Sequence, residues 1–136
     1  MEITHVYAGV AVTDFDAGCA WYNRLFGRAP DVVPQQEEAV WHLVRSGSVY
    51  VIADRGRAGN AVVTLDVVSV EDCLAQLAVR GLRPQEGDAR PATMKATLSD
   101  PDGNRIIIFK ALSKPTRANL DDELSGDRVI SCENAS

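Results

Sequence analysis

The sequence predicts an α+β fold in which one order of elements, a strand, a helix and three strands, occurs twice, from roughly residues 3 to 54 and 61 to 111. Three observations predict it. Two Ser/Thr-x-x-Asp stretches, Thr13-Asp14-Phe15-Asp16 and Ser69-Val70-Glu71-Asp72, each open a segment with apolar residues at helical spacing. Each segment is followed by a glycine, Gly27 or Gly81, suited to a helix C-terminus. The stretches on either side are apolar and rich in β-branched residues, as strands are. Two repeats are too few for a solenoid, so the two modules must bury their sheets against each other in one pseudo-symmetric domain.

In chain order, Ile3 to Val12 is a strand that hands over to a helix from about Asp14 to Phe26, with Phe15, Cys19, Tyr22 and Phe26 on its apolar face. Prolines bracket Pro30 to Val33, which is a short strand at most. Glu38 to Val44 and Ser48 to Ala53 are strands joined by the hairpin turn Arg45-Ser46-Gly47. A polar linker, Asp54 to Asn60, ends the first module. Ala61 to Val68 is the next strand, and Val70, Cys73, Leu74 and Leu77 mark the second helix. After Gly81, Leu82-Arg83-Pro84 leads into a weak strand. A final hairpin joins Ala92 to Leu98 with Arg105 to Phe109 across the turn Asp100-Pro101-Asp102-Gly103-Asn104, where Pro fixes φ and Gly and Asn tolerate positive φ. Residues 1–112 thus make a single domain, and the composition changes over 113–136 to a tail expected to be mobile or packed on a partner subunit.

With 136 residues, 46% of them hydrophobic and 24% charged, the chain can bury a core of its own. A net charge of −5 without a Lys/Arg cluster excludes a nucleic-acid surface, which needs concentrated positive charge. No basic segment precedes an apolar one at the start of the chain, and no stretch is long and apolar enough to span a membrane. The expectation is therefore a soluble cytoplasmic protein without a membrane partner. Cys19, Cys73 and Cys132 fit neither a disulfide framework nor a C-x-x-C motif, and the first two, on apolar helix positions, read as buried thiols. No Ser/His/Asp or Cys/His arrangement and no phosphate-cradling glycine loop is legible.

Val12-Thr13-Asp14-Phe15 with Trp21-Tyr22 and Phe26-Gly27, then Ala39-Val40-Trp41-His42-Leu43, Ala58-Gly59 and above all Asp100-Pro101-Asp102-Gly103-Asn104 resemble the vicinal oxygen chelate superfamily. Its members include glyoxalase I, extradiol dioxygenases, fosfomycin-modifying enzymes and bleomycin-resistance proteins. The resemblance covers about residues 3 to 112. It implies two βαβββ modules paired into a curved mixed sheet around a cavity, with the helices outside. In the enzymes of the superfamily, it further implies a metal held by His and Glu from four strand positions. Counting from the helix caps and the last turn, those positions fall on Tyr7, His42, Val62 and Ile107. Only His42 is a ligand of the expected kind, and one imidazole cannot replace a hydration shell, so no metal and no other cofactor is expected. His5, two residues before Tyr7, faces the same side of its strand.

Strand alternation gives the rest of the expected ligand-binding face: Glu38, Thr64, Asp66, Arg105 and Phe109 join His5, Tyr7, His42, Val62 and Ile107. Asp66 and Arg105 either neutralise each other across the pocket or hold complementary ligand charges. Trp41, opposite His42, belongs to the core, and Tyr50 offers a ring for stacking. Such a mostly apolar face with a few polar points suits a small molecule. The expected function is a metal-free small-molecule-binding protein, similar to the bleomycin-resistance group, that sequesters an antibiotic or metabolite. In that group dimers with shared ligand grooves are common, which implies a homodimer. The alternative is an enzyme of the superfamily (a lyase, isomerase or dioxygenase) in the same cavity, with or without a divalent metal. In its metal-free form His42 is the acid or base, together with Tyr7.

Overall fold

A computed structural model describes residues 1–85 and 94–111; Cys132, the expected tail and the start of the strand placed at Ala92 lie outside them. The first module comprises β1 (Val6–Val12), α1 (Phe15–Phe26), β2 (Val32–Gln35), β3 (Glu38–Val44) and β4 (Gly47–Ala53). The second comprises β5 (Val62–Asp66), α2 (Val70–Val79), β6 (Lys95–Ser99) and β7 (Arg105–Phe109). The first sheet runs β1-β4-β3-β2 and the second β5-β7-β6. In both, the strand before the helix pairs in parallel with the last strand, and the remaining pairs are antiparallel. The weak strand expected beyond Leu82-Arg83-Pro84 falls largely outside the described residues; at its start, Gln85 N–H bonds Thr97 O of β6 at 2.7 Å.

Alternation sets the two faces of each sheet. Val10 and Val12 of β1, Val49 and Val51 of β4, and Ile106 and Ile108 of β7 are buried. They join Trp21, Tyr22 and Leu25 of α1 and Val70 and Leu77 of α2 in one core. Trp41 lies in this core as expected, its indole N–H donating to Arg28 O at 3.0 Å. The buried face of α1 centres on Gly18, Trp21, Tyr22 and Leu25, whereas Phe15, Cys19 and Phe26 are only partly buried at its margin. The cause is Gly18: a Cβ there would lie 2.9 Å from Val12 Cγ2, so the bare backbone lets the helix seat directly on β1. The cap also moves by one residue. Asp14 is the N-cap, accepting from Ala17 N–H, because the Thr13 hydroxyl donates to Asp102 Oδ1 at 2.5 Å. Ser69 caps α2 as expected. Gly81 N–H to Ala78 O and Leu82 N–H to Leu77 O close it in a Schellman arrangement.

The turn between β6 and β7 fastens the modules together. Asp100 is buried and its Oδ1 accepts the N–H groups of Asp102 and Asn104, both at 2.9 Å. Its Oδ2 accepts the Tyr22 hydroxyl of α1 at 2.9 Å and Asn104 Nδ2 at 2.8 Å. Fully buried Asn104 also donates to Ala11 O of β1 and accepts from Ala61 N–H, each at 2.8 Å. Arg80, at the end of α2, donates to Arg24 O and Leu25 O, covering the last carbonyls of α1 with a positive charge.

Candidate ligand-binding cleft

The face of the first sheet turned away from the core carries a cleft of about 360 Å³, lined by Tyr7, Val32, Pro34, Glu38, Val40, His42 and Tyr50. Cross-strand register gathers them: Tyr7 and His42 both stand opposite Ser48, Gly9 and Val40 opposite Tyr50, and Val32 opposite Val40. Tyr50 lies down over β1, since a Cβ on Gly9 would be 2.5 Å from its Cζ and Oη. Glycine here makes room for the phenol ring that floors the cleft. Strand β2, which contains Pro34, is at the sheet edge, where a missing N–H costs no ladder bond.

His42 is fixed from three sides. Its N–H donates to Asp31 Oδ2 at 2.7 Å, its carbonyl accepts from Arg28, and Arg28 pairs with Asp31 at 2.6 Å. The His42 N–H and then Arg28 hold the Asp31 carboxyl below its usual range. The ring bonds through Nδ1 to Ser48 Oγ at 2.7 Å, leaving Nε2 as the ring atom for a ligand. His5 is half-buried beside this group, with Nε2 2.7 Å from the same Ser48 Oγ and its ring 4.3 Å from that of Tyr7. Glu38, half-buried, accepts from Gln35 Nε2 at 2.8 Å.

Of the ten residues expected on the ligand face, the structure thus brings Tyr7, Glu38 and His42 into the cleft and joins His5 to His42 through Ser48. The other six, Val62, Thr64, Asp66, Arg105, Ile107 and Phe109, do not line it. They pair across β5 and β7 as Val62 with Arg105, Thr64 with Ile107 and Asp66 with Phe109, opposite the buried Ile106 and Ile108. Asp66 and Arg105 consequently lie at opposite ends of the strand pair, about 13 Å apart along it. Asp66 instead accepts from Ala111 N–H. Val32, Pro34 and Ser48 were not legible as site residues. Proline suggested the end of a strand, and an isolated serine carries no signal until the register of three strands is known.

Tyr7 and His42 are on the first sheet, and Val62 and Ile107 on the second offer no donor atom. Among the described residues no group of three or more His, Cys, Asp or Glu side chains is placed to hold a metal ion. The residues at the four positions therefore do not fit the divalent metal of the enzymes. Nor are the described cysteines poised for chemistry: burial pushes both thiols up, with Asp16 adding to the effect at Cys19 and Arg80 opposing it at Cys73.

The chain is similar to a glyoxalase/bleomycin resistance protein from Catenulispora acidiphila at 34% identity, over 79% of this chain and 97% of that one, with a TM-score of 0.74. It shares its fold with a bleomycin-binding protein solved in complex with bleomycin, at 18% identity over 79% and 98% of the two chains and a TM-score of 0.61. It also shares it with the oxidase ChaP-H2, at 20% identity over 82% and 95% and a TM-score of 0.58. No protein-family model and no curated protein matches the sequence. No helix among the described residues is long and apolar enough to cross a membrane.

Proposed function

The chain belongs to the glyoxalase/bleomycin resistance family of the vicinal oxygen chelate superfamily, and from that membership we propose that it binds a small molecule in the cleft of its first sheet, without a resident metal, and sequesters it as an antibiotic or metabolite. The observation that carries this reading is the lining of the cleft. Tyrosine rings, valines and a proline surround one carboxylate, Glu38, and one imidazole, His42, with no Lys or Arg among the lining residues. Planar molecules that are neutral or cationic suit such a surface, because the rings offer stacking and cation–π contact and the carboxylate repels anions. Isothermal titration calorimetry with bleomycin and a panel of planar aromatic amines tests it. Saturable binding that Glu38→Gln weakens for the cationic members is the expected result, and no binding across the panel would refute it. Elemental analysis of protein purified without chelator checks the metal; stoichiometric metal would overturn that part of the reading.

The working form is a homodimer. Strands β1 and β5 are each at the edge of a sheet, and Val6, Tyr7 and Val62 on them are 60%, 54% and 50% exposed. Edges carrying such side chains are pairing surfaces unless covered. In the dimer the second sheet of one protomer, with Val62, Thr64, Ile107 and Phe109, faces the cleft of its partner. Sedimentation should give the mass of two chains, and a monomer at ligand-binding concentrations would refute the dimer. The reducing cytoplasm suits Cys19 and Cys73, the two unpaired thiols among the described residues.

Enzymatic use of the same cleft is the second reading, favoured by the bonding of His42 through Nδ1 to a buried hydroxyl, with Nε2 toward the ligand. His42→Ala would abolish turnover in that case without unfolding the protein; unchanged turnover would exclude the role.

A further inference from the structure

Ser48 is 4% exposed, and its Oγ stands 2.7 Å from His5 Nε2 and 2.7 Å from His42 Nδ1. A hydroxyl has one proton to donate. With both rings neutral it serves only one of them, so the other ring must donate its own N–H to Oγ. Two arrangements follow. In the first, His42 Nδ1–H donates to Oγ and Oγ–H donates to His5 Nε2, so both rings are Nδ1–H tautomers. In the second, His5 Nε2–H donates to Oγ and Oγ–H donates to His42 Nδ1, so both are Nε2–H tautomers. Taking a proton onto His42 Nε2 and losing one from His5 Nδ1 converts the first into the second. Two proton hops, each along a 2.7 Å hydrogen bond, link the two rings, and His42 lines the cleft whereas His5 is not among its lining residues.

We propose that His42, Ser48 and His5 form a proton relay between the cleft and its outside, and that through it the protein exchanges the benzylic α-protons of neutral ketones that carry a planar aromatic ring. The inference rests on the cleft being the ligand site. The tyrosine and valine walls select a planar apolar body, and Glu38 disfavours carboxylate-bearing analogues. The α C–H bond breaks as its proton passes to His42 Nε2; its electron pair forms the C=C bond of the enolate, and the carbonyl π pair moves to oxygen, where the Tyr7 hydroxyl donates a hydrogen bond. The Nδ1 proton of His42 moves to Ser48 Oγ, the hydroxyl proton to His5 Nε2, and the Nδ1 proton of His5 to water. Reversal returns a solvent-derived proton to carbon and restores the ketone. No co-reactant other than water is consumed. His42 and Tyr7 meet the substrate, whereas Ser48 and His5 are positioning residues that act through His42.

The test uses β-tetralone in deuterium oxide, following loss of the benzylic α-proton signal by NMR, with binding measured in parallel by calorimetry. The full chain should exchange this proton about a hundredfold faster than the same concentration of free imidazole, the lower end of what positioned acid–base groups contribute. His42→Gln should return the rate to that of buffer. Ser48→Ala and His5→Gln should each lower exchange about tenfold while leaving β-tetralone affinity within about twofold, and Ser48→Thr, which keeps the hydroxyl, should restore it. Nitrogen NMR of the imidazoles supplies a readout separate from rate: His5 and His42 should share one tautomer in the parent protein and lose that correspondence in Ser48→Ala. Should Ser48→Ala fail to fold, His5→Gln, at a half-buried position outside the sheet, carries the same test. Binding without exchange, or exchange indifferent to Ser48 and His5, overturns the relay alone. Failure of β-tetralone to bind while aromatic amines bind overturns the ketone class, and failure of both overturns the cleft as a ligand site.

Discussion

Replacing Asn104 by alanine removes three side-chain hydrogen bonds: from Ala61 N–H, to Ala11 O and to Asp100 Oδ2, each 2.8 Å long. The site is fully buried and Asp100 is only 5% exposed, so the groups left behind have little access to water. At about 1 kcal/mol for each bond, with a further penalty for partners stranded in a dry site, the loss comes to about 3–5 kcal/mol. Against a typical total of about 5–15 kcal/mol this is a large share, and for a chain of this size it lowers Tm by roughly 10–20 °C. Urea unfolding followed by circular dichroism checks it through the shift in midpoint at constant slope. Tyr22→Phe, which removes only the hydroxyl on the Asp100 carboxylate, should cost about 1.5–3 kcal/mol. Because both side chains meet at Asp100 Oδ2, the double variant should lose less than the sum. An Asn104→Ala loss below about 1 kcal/mol with unchanged slope, or strict additivity with Tyr22→Phe, would refute the argument that this turn fastens the modules together.

Three further outcomes follow from single contacts. Gly9→Ala places a Cβ 2.5 Å from the Tyr50 ring and should cost about 1–3 kcal/mol and reshape the cleft; in a Tyr50→Ala background the same substitution should be nearly neutral in unfolding experiments. The Asp31 carboxyl is depressed in the folded state, first by the His42 N–H and then by Arg28. Its contribution is therefore fully present above the unfolded carboxylate value of about 3.9 and lost as pH falls through the lower folded value. Asp31→Asn should flatten that part of the acid stability profile. Burial raises the thiols of Cys19 and Cys73, so both should react with a maleimide at neutral pH many times more slowly than free cysteine, as mass spectrometry of the modified peptides would show.

What the chain reveals before folding is what its local chemistry determines. Glu38–Val44 is recognisable as a strand from its apolar run and the hairpin turn that follows it, and Ser69 as a cap from its hydroxyl and the following acidic turn. Features set by distant partners are hidden. Thr13 reads as a cap until Asp102, eighty-nine residues away in sequence, claims its hydroxyl. The two-residue turn between β2 and β3 puts Glu37 at φ 64°, a conformation that nothing in Gln36-Glu37 announces. Spacing centres the apolar stripe of α1 one position from its buried face because a helix face is judged by its large side chains, whereas here the missing one, at Gly18, decides the approach. In the site, Tyr7 and His42 are legible as strand positions that the resemblance singles out, and Glu38 because alternation puts it on the same face. Ser48 is not, since its two histidine partners arrive from a neighbouring strand and from the segment before β1.

The turn that most clearly marks the superfamily contributes nothing to the cleft. Asp100, Asp102 and Asn104 are spent on Tyr22, Thr13, Ala11 and Ala61, contacts that join the second module to β1 and α1. Their side chains are required for the fold whatever the chemistry of the site. The strand that follows is under no such constraint: Ile107 lies on the open face of its sheet, where a donor atom or a methyl group serves the fold equally well. A family signature of this kind travels with the architecture, and the ligand face is free to diverge beneath it. That separation explains how one chain keeps the junction of a metalloenzyme superfamily while placing valine and isoleucine at two of its four ligand positions. The polar and aromatic side chains of the cleft all come from the first module, with Tyr7, Glu38, His42 and Tyr50 around it and Ser48 bonded to the His42 ring.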